Sequence, residues 1–492
     1  MAMASTDSAD EKSIALQDLT PEQSEKTKSY SVVEGSGYNI MVGFSEQYIV
    51  PFALRLGATN PQIAILSSVP TFLGSMSQVI GARLSEKFTS RKNVVASLAL
   101  IQGILLIPLF LIPFLTRSMV VLTALFSLHM VLSNMCAPAW NSMMGDLVLD
   151  KERASYFARR NKSLITALFF SILAAGLILH FFEGLNIWAG FGVLFSISFF
   201  GRMISWVYLS KHFDPPRRFH SANPLPFREF IKNIKGNAFG KFALFRISIA
   251  FSAMIAVPFF SVYMLKNLGF SYIQYSLVLL APMIVKAFTS TYWGAYSARL
   301  GNRNIMYVSA LLVAIIPLIW ALAGFFFESN ALIIFLLVLL AEIISGFAWG
   351  GFELTTFNYM LDASEKQDRA RLFAYFNVLF GSAVLVGGLL SSFLVGYFAA
   401  IQIGVGAIMA VFFISFVLRF FSVVSFLPRV PEVENHPHVN EGKLFVEMVI
   451  TRPLGFVVHN TLSTLTFIEH EMIQAGEKTT RVIKKGLSKN KK

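Results

Sequence analysis

Four ionisable side chains interrupt long apolar runs, and they are the first candidates for chemistry in this chain. They are Glu46, Lys286, Glu342 and Glu353. An ionisable group in the middle of a membrane costs at least about 2.5–3.5 kcal/mol, so it normally faces a cavity or a specific partner. A buried carboxyl group can bind a proton from one side and release it to the other. Glu46 and Glu342 are therefore the candidates for proton binding.

Glu46 lies near the middle of the first apolar run, and its neighbours on one helical face are polar or small. Asn39, Gly43 and Glu46 are spaced i, i+4 and i+7, and Gln47 adjoins them. Two interpretations remain open. The carboxyl group is either a proton-binding or substrate-binding group in a central cavity, or it is hydrogen-bonded to a neighbouring helix.

A second candidate face carries two acids and an aromatic ring. Glu342, Gly346, Trp349 and Glu353 are spaced i, i+4, i+7 and i+11, which puts all four on one side of a helix. A tryptophan ring offers a face to a cation or a planar ligand. The two carboxyl groups lie roughly 16 Å apart along the axis at 1.5 Å per residue, so they cannot share one proton. This stripe predicts a cavity wall.

Other polar residues inside apolar runs have two possible roles each. Lys286 either forms a salt bridge with a carboxylate of a neighbouring helix or contacts an anionic substrate. Arg246, near the start of its run, either lines the cavity or extends its charge to the membrane surface. Asn134 is a cavity candidate, and His129 nearby is either a hydrogen-bonded helix contact or a proton carrier.

The composition places the chain in a membrane. Of its 492 residues, 55% are hydrophobic and 14% are charged, and the mean hydropathy is +0.61. Soluble domains carry about 25% charged residues. The formal charge of +13 suggests basic loops at a membrane rather than a nucleic-acid partner. We find no ATP-binding loop, nucleophile–base pair or metal-ligand spacing, so we expect neither an enzyme nor a cofactor.

The apolar runs predict twelve transmembrane helices, since about 20 residues cross a bilayer. Six of these helices precede a basic linker at 211–240 and six follow it, so we expect one six-helix bundle at 31–210 and another at 241–427. A polar tail at 1–30 precedes the bundles. A cytoplasmic tail at 428–492, which carries a surface helix, follows them. The predicted spans are 33–55, 61–83, 93–115, 119–145, 155–181, 186–210, 241–265, 271–294, 304–327, 331–360, 369–397 and 401–426.

Lysine and arginine predict the orientation. They concentrate in the loops between spans 2 and 3, 4 and 5, 6 and 7, 8 and 9, and 10 and 11, whereas the opposite loops hold Arg55, Arg117 and Lys266. Because cytoplasmic loops are the basic ones, we expect both termini in the cytoplasm. We expect a monomer in the cell membrane, surrounded by lipid.

The chain also contains a duplication. The pattern R-A-x-x-F-A-x-x-N begins at Arg153 and again at Arg369, 216 residues later, and an aspartate, Asp146 or Asp362, stands seven residues before each arginine. A second pattern, S-F-x-x-R-x-x-S, occurs around Arg202 and again around Arg419. Substrate chemistry need not be duplicated, so we interpret these residues as scaffold or gate.

Two loop motifs resemble those of the major facilitator superfamily. The segment GAYSARLGNR at 294–303 resembles the family's G-x-L-a-D-r-x-G-r-k loop, although Ala298 replaces its aspartate, and a looser copy around Glu86 follows span 2. The Asp–x6–Arg pairs resemble the acidic motif after spans 4 and 10. The resemblance covers about residues 30–427. It implies an all-α fold of two pseudo-symmetric six-helix bundles in which spans 1, 4, 7 and 10 line the cavity.

The resemblance implies a secondary transporter that works by alternating access. The loop residues would then form a cytoplasmic gate made of Asp146, Arg153, Asp362, Arg369, Glu86 and Arg299. We expect a small organic solute and a coupled proton as partners. A lipid or lysolipid flippase on the same fold is one alternative, and it predicts a lateral apolar opening. A non-transporting sensor is another, and it predicts a sealed cavity and a tail that binds a partner.

Overall fold

The structure is a computed structural model, and the residues it describes are helical throughout, with no strand among them. The described residues are 20–88, 90–214, 227–327, 330–365, 368–401, 406–433 and 441–451. Eleven helical segments among them are long and apolar enough to cross a membrane.

The first half of the chain forms eight helices, of which α4 and α5 together make one span. A 3-10 turn at Glu46–Tyr48 separates the first two. The helices are α1 (Pro21–Phe44), α2 (Ile49–Arg55), α3 (Asn60–Lys87), α4 (Arg91–Ile104), α5 (Leu106–Leu115), α6 (Met119–Leu147), α7 (Asp150–Glu183) and α8 (Ile187–Ser210).

The second half forms seven helices before the tail, and the tail adds one short helix. A π-helical turn at Tyr263–Asn267 extends the second of them. The helices are α9 (Phe227–Asn233), α10 (Ala238–Val262), α11 (Tyr272–Leu300), α12 (Asn302–Phe327), α13 (Ala331–Asp362), α14 (Arg369–Ala400), α15 (Gly406–Phe426) and, in the tail, α16 (Glu441–Val446).

The first predicted span differs from the prediction because its helix is broken. α1 begins at Pro21, twelve residues earlier than predicted, where Thr20 caps it by accepting a hydrogen bond from the Gln23 amide at 3.2 Å. It ends at Phe44, and Tyr48 leaves helical geometry with ψ of 10°. The other eleven predicted spans correspond to the eleven membrane-length segments. The break places Glu46 in a turn rather than on a continuous helical face.

Small residues form the seam between the two halves. α3 packs along α14, and α7 packs along α11. A Cβ atom on Gly388 would lie 2.2 Å from Cβ of Ser68, and one on Gly176 would lie 1.9 Å from Oγ of Ser276. Only glycine permits backbones to approach this closely.

The two ends of the molecule differ in how the halves meet. We call the end that holds Arg55, Arg117 and Lys266 the far end, and the end that holds the 211–240 linker the linker end. At the far end Arg55 bridges the halves: its Nε donates to the hydroxyl of Tyr272 at 2.8 Å, and its Nη2 pairs with Glu183 at 2.5 Å. The far end is therefore closed.

The tail returns to the linker end of the second half. Leu444 and Met448 are buried against the rings of Tyr292 and Trp293. The hydroxyl of Tyr292 donates to the carbonyl oxygen of Met448 at 2.8 Å. The surface helix predicted for the tail extends over roughly 443–472, and of this stretch the structure describes only the end of α16 and a π-helical turn at Glu447–Thr451, which pack against the second half.

Candidate functional site

Glu46 contacts a buried histidine of α6. Its Oε1 lies 3.1 Å from Nε2 of His129, and the same Nε2 lies 3.1 Å from Nε2 of Gln102 on α4. His129 is 1% exposed, and the Glu46 side chain is 15% exposed. One imidazole nitrogen cannot donate to a carboxylate and accept from an amide at once. Only one of these two contacts is therefore a hydrogen bond for a given placement of the imidazole proton.

The two residues that follow Glu46 form hydrogen bonds with the other half of the molecule. The carbonyl oxygen of Gln47 accepts a hydrogen bond from the hydroxyl of Tyr275 at 3.1 Å. The hydroxyl of Tyr48 lies 2.5 Å from Oγ of Ser276 and donates to the carbonyl oxygen of Ile172 at 2.7 Å. The broken helix thus carries the titratable pair and the cross-half contacts on adjacent residues.

In the second half the structure brings together four of the predicted residues. Lys286 of α11 forms an ion pair with Glu353 of α13, and the two side chains are 45% and 47% exposed. The guanidinium of Arg246 lies 5.1 Å from the ring centre of Phe352 and stacks on Phe380 as well. The Trp349 ring is 5.6 Å from that of Phe352. This cluster combines exposed charges of both signs with aromatic faces.

Glu342 points to a different neighbour. Its Oε1 accepts a hydrogen bond from Nε1 of the buried Trp320 on α12 at 3.1 Å. A Cβ atom on Gly346 would lie 2.7 Å from Cα of Pro282, so this position is packed against α11. The expectation that the whole stripe lines a cavity is therefore wrong at Gly346, and Glu342 lies at a contact between helices of one half.

Asn134 belongs to a chain of amides that joins the halves. Its Oδ1 accepts from Nε2 of Gln78 at 3.1 Å, and Oε1 of Gln78 accepts from Nδ2 of Asn377 at 3.0 Å. Asn377 is the last residue of the duplicated pattern in the second half. The chain links α6, α3 and α14, and it connects the halves on the linker side of the far-end contacts.

Asn39 does not contact Glu46 in the structure but lies on the wall of a cavity of about 260 Å³ within the first half. Its Nδ2 donates to the carbonyl oxygen of Gly35 at 2.9 Å. The cavity also holds a buried ion pair, Glu34 with Arg160 at 2.9 Å. Sequence reasoning missed Glu34 because it lies at the edge of the first predicted span. Its charge inside the apolar span, at the second position of 33–55, was the available signal.

The Asp–x6–Arg motifs make matching contacts in the two halves. Asp146 accepts from Nη1 of Arg91, the first residue of α4, at 2.6 Å. Asp362 accepts from Nδ2 of Asn302, the first residue of α12, at 2.7 Å. Each aspartate therefore holds the start of the helix that follows the basic loop of its own half.

The remaining predicted gate residues lie at the same end. Arg153 and Arg369 donate to main-chain carbonyl groups of the preceding helix end. Arg299 is exposed at the end of α11, and the Glu86 side chain lies outside the described part of the structure. The contacts of Asp146, Asp362, Arg153 and Arg369 described above lie within single halves and shape each half.

The comparisons with known proteins agree with this architecture. A model of the Major Facilitator Superfamily matches residues 36–249 and 242–470. No curated protein sequence is similar enough to this chain to count as a match. Among solved structures, the nucleoside transporter NupG (a D323A mutant) is similar over 83% of this chain and 100% of its own, with 14% identity and a TM-score of 0.63.

Two further structures show the same fold. The POT family transporter PepTSo is similar over 84% of this chain and 99% of its own, with 11% identity and a TM-score of 0.66. A bacterial homologue of the human lysosomal transporter Spinster, in an inward-facing conformation, covers 84% and 99%, with 13% identity and a TM-score of 0.58. The chain belongs to the Major Facilitator Superfamily and is a multi-pass membrane protein with the fold of its transporters.

Proposed function

We propose that this protein is a proton-coupled secondary transporter that moves a small organic solute by alternating access. Its termini lie in the cytoplasm, and it works as a monomer in the cell membrane. The family membership and the transporter fold support transport. The basic loops at the linker end support the orientation. In this orientation, closure of the far end corresponds to an inward-facing state.

One observation carries the proton coupling: the Glu46–His129 pair lies next to the residues that close the far end. A proton that enters the pair changes which partner His129 Nε2 can bond. Because Glu46 lies in a break between two helices, a small shift there needs no bending of a continuous helix. The shift reaches Gln47 and Tyr48, which contact Tyr275 and Ser276 of the other half.

The solute would bind at the exposed cluster of the second half. Lys286 and Glu353 are near half exposed, so a charged or polar solute can compete for either partner. Arg246 and Trp349 supply a cation and an aromatic face beside them. A change of a few kcal/mol in the relative stability of two states is enough to invert which state is populated.

The test uses the full chain in proteoliposomes under an inward proton gradient. Accumulated solutes from a metabolite mixture are identified by mass spectrometry, and proton entry is followed with an enclosed pH-sensitive dye. We expect Glu46→Gln, and as the second proton candidate Glu342→Gln, to abolish gradient-driven accumulation while solute exchange without a gradient persists. Glu22→Gln, an exposed acid of α1, is the control. Unchanged proton-driven uptake in both the Glu46 and the Glu342 variant would refute the coupling.

One feature of the structure bears on the flippase alternative. An apolar groove of about 570 Å³ opens between α3 and α6, lined by residues such as Ile65, Leu73 and Leu128. Both helices belong to the first half, so the groove does not open the seam between the halves. A solute carrier therefore fits the structure better. Lipid scrambling by proteoliposomes that lack solute uptake would reverse this preference.

A further inference from the structure

The cavity within the first half has the features of a binding site. Its volume is about 260 Å³, and α1, α6, α7 and α8 supply most of its wall. Ligand pockets for drug-sized molecules run from about 300 Å³ upward, so this one suits a small metabolite. Its polar and aromatic lining consists mainly of Glu34, Tyr38, Asn39, Trp140, Arg160 and Arg202.

One cation of this cavity is already neutralised. Nη2 of Arg160 donates to Oε1 of Glu34 at 2.9 Å, and Nε1 of Trp140 donates to the same oxygen at 3.0 Å. Nε of Arg160 donates to Oγ of Ser31 at 2.9 Å. Its guanidinium lies 4.3 Å from the centre of the Trp140 ring. Arg160 and Glu34 therefore form a closed ion pair with fixed geometry.

The second cation of this cavity, Arg202, forms no ion pair with a carboxylate among the described residues. Arg202 is 3% exposed, and its guanidinium lies over the Tyr38 ring at 5.0 Å. Among the described residues, its one oxygen acceptor is Ser205 Oγ at 3.0 Å, and its Nε has no hydrogen-bond partner. Glu34 is the one carboxylate among the lining residues. The wall thus carries two guanidinium groups and one carboxylate, a net charge of +1.

The duplicated arginine shows that this arrangement is not required by the scaffold. Arg419 is the counterpart of Arg202 in the repeated S-F-x-x-R-x-x-S pattern. Its Nη1 donates to the carbonyl oxygen of Val313 at 2.9 Å, and its Nη2 donates to that of Ala253 at 3.5 Å. Both terminal nitrogens of Arg419 are therefore occupied by main-chain acceptors, and its Nε, like that of Arg202, has no hydrogen-bond partner among the described residues. The same side chain in the first half faces a cavity instead.

We infer that this cavity binds a small organic carboxylate, held by the guanidinium of Arg202. A guanidinium presents donors in a planar fork that matches two carboxylate oxygens. An anion there would balance a buried charge that is costly when unpaired. The rings of Trp140 and Tyr38 would contact the apolar part of the ligand. The inference goes beyond the proposed function, because it assigns a second site, in the first half, with a carboxylate as its ligand, whereas the solute of the proposed function binds at Lys286 and Glu353.

Binding can be tested on the purified full-length protein by thermal shift. The probes are monocarboxylates of up to about ten non-hydrogen atoms, each paired with its neutral primary amide. We expect at least one carboxylate to raise the apparent Tm with increasing concentration, while its amide does not. Arg202→Gln should remove the shift, and Arg419→Gln, the matched buried arginine, should keep it. Equal shifts with acid and amide, or no shift with any acid, would overturn the inference.

A second variant covers the case in which Arg202→Gln does not fold. Ala137 lies on the cavity wall, and Ala137→Leu fills the cavity without changing a charge. It should weaken carboxylate binding at least tenfold, and unchanged binding would contradict the site. Uptake of the same carboxylate into proteoliposomes separates the two proposals. Arg202-dependent binding without uptake of that carboxylate leaves the site standing and excludes the carboxylate as the transported solute. Uptake of a solute by a protein that binds no carboxylate removes the site and leaves the transport function standing.

Discussion

Arg153 and Arg369, 216 residues apart in sequence, make the same two main-chain contacts. Nη2 of Arg153 donates to the carbonyl oxygens of Gly145 and Val148 at 3.0 and 3.4 Å. Nη2 of Arg369 donates to those of Leu361 and Ser364 at 3.0 and 3.3 Å. Each arginine thus covers the carboxyl end of the preceding span, where a positive charge is favourable. The duplication is conserved at the level of individual hydrogen bonds.

Replacing Arg153 or Arg369 should lower the stability of the protein by a similar amount. We expect Arg153→Ala and Arg369→Ala each to lower the free energy of unfolding by about 1 kcal/mol, because charged hydrogen bonds to helix ends are lost. The double variant should show the sum, since the sites are far apart. Denaturant titration in detergent measures this, with the exposed Arg159→Ala as control. Full stability combined with lost transport would instead assign the arginines to gating.

The amide chain predicts an asymmetric effect of two duplicated asparagines. Asn377→Ala removes the donor to Gln78 that joins the halves, whereas its counterpart Asn161 is exposed. An amide left without its partner costs about 1–3 kcal/mol. We expect Asn377→Ala to shift the population of the closed α3–α14 seam about tenfold and Asn161→Ala to leave it unchanged.

Spin labels on the linker ends of α3 and α14 measure this shift. The labelling sites are introduced in a Cys136→Ser background, because Cys136 is the single cysteine of the chain. An equal change in both variants, or in neither, would mean that the amide chain does not hold the seam.

The ion pair between Lys286 and Glu353 predicts a functional effect without a large effect on stability. Half-exposed pairs contribute about 0–1 kcal/mol. We expect Lys286→Glu and Glu353→Lys each to reduce solute uptake at least tenfold, and the double exchange to recover part of it. Swapping the exposed Glu22 and Lys26 pair, whose charged atoms are 2.7 Å apart, is the matched control. Uptake that survives both single reversals would exclude the pair from the transport path.

His212, just beyond α8, predicts a pH dependence of stability. Burial, with the positive charges of Arg160 and Lys92, lowers the pKa of His212 to about 4. The unfolded chain binds this proton near pH 6.5, so the stability present above pH 6.5 is lost as the pH falls toward 4. The loss at pH 5 is roughly 2 kcal/mol.

Thermal unfolding at pH 7.5 and pH 5 tests this expectation. His212→Gln should reduce the difference in Tm between the two pH values, while His180→Gln, at an exposed position, should not. An unchanged difference in the His212 variant would show that other groups cause the acid sensitivity.

The spans and the duplication were predictable because their signals are local. Hydropathy identifies an apolar segment from its own residues, and the repeated letters around Arg153 and Arg369 need no structure. The break after Phe44 was not predicted, although Pro51 carries a signal for it, because a proline cannot donate to the carbonyl oxygen of Gln47 four residues earlier. Contacts with the other half, through Gln47 and Tyr48, accompany the irregular backbone there.

The sequence predicted which residues belong to the candidate site, but it did not predict which side chains they contact. Glu342 and Glu353 share a helical face, but one face of a long helix meets different neighbours at different depths. Near Glu342 the neighbour is Trp320 of α12, and near Glu353 it is Lys286 of α11. Helical periodicity gives the direction of a side chain and carries no information on what lies opposite. For the same reason His129 could not be matched to Glu46, 83 residues away.

The two short helices outside the spans both brace the second half. Phe227 of α9 lies 5.0 Å from the ring centre of Tyr375, and Leu444 and Met448 of the tail are buried beside Tyr292. Duplication produced two similar bundles, and these two helices add contacts that lie outside the repeated patterns. The repeat alone therefore does not account for the packing of the second half.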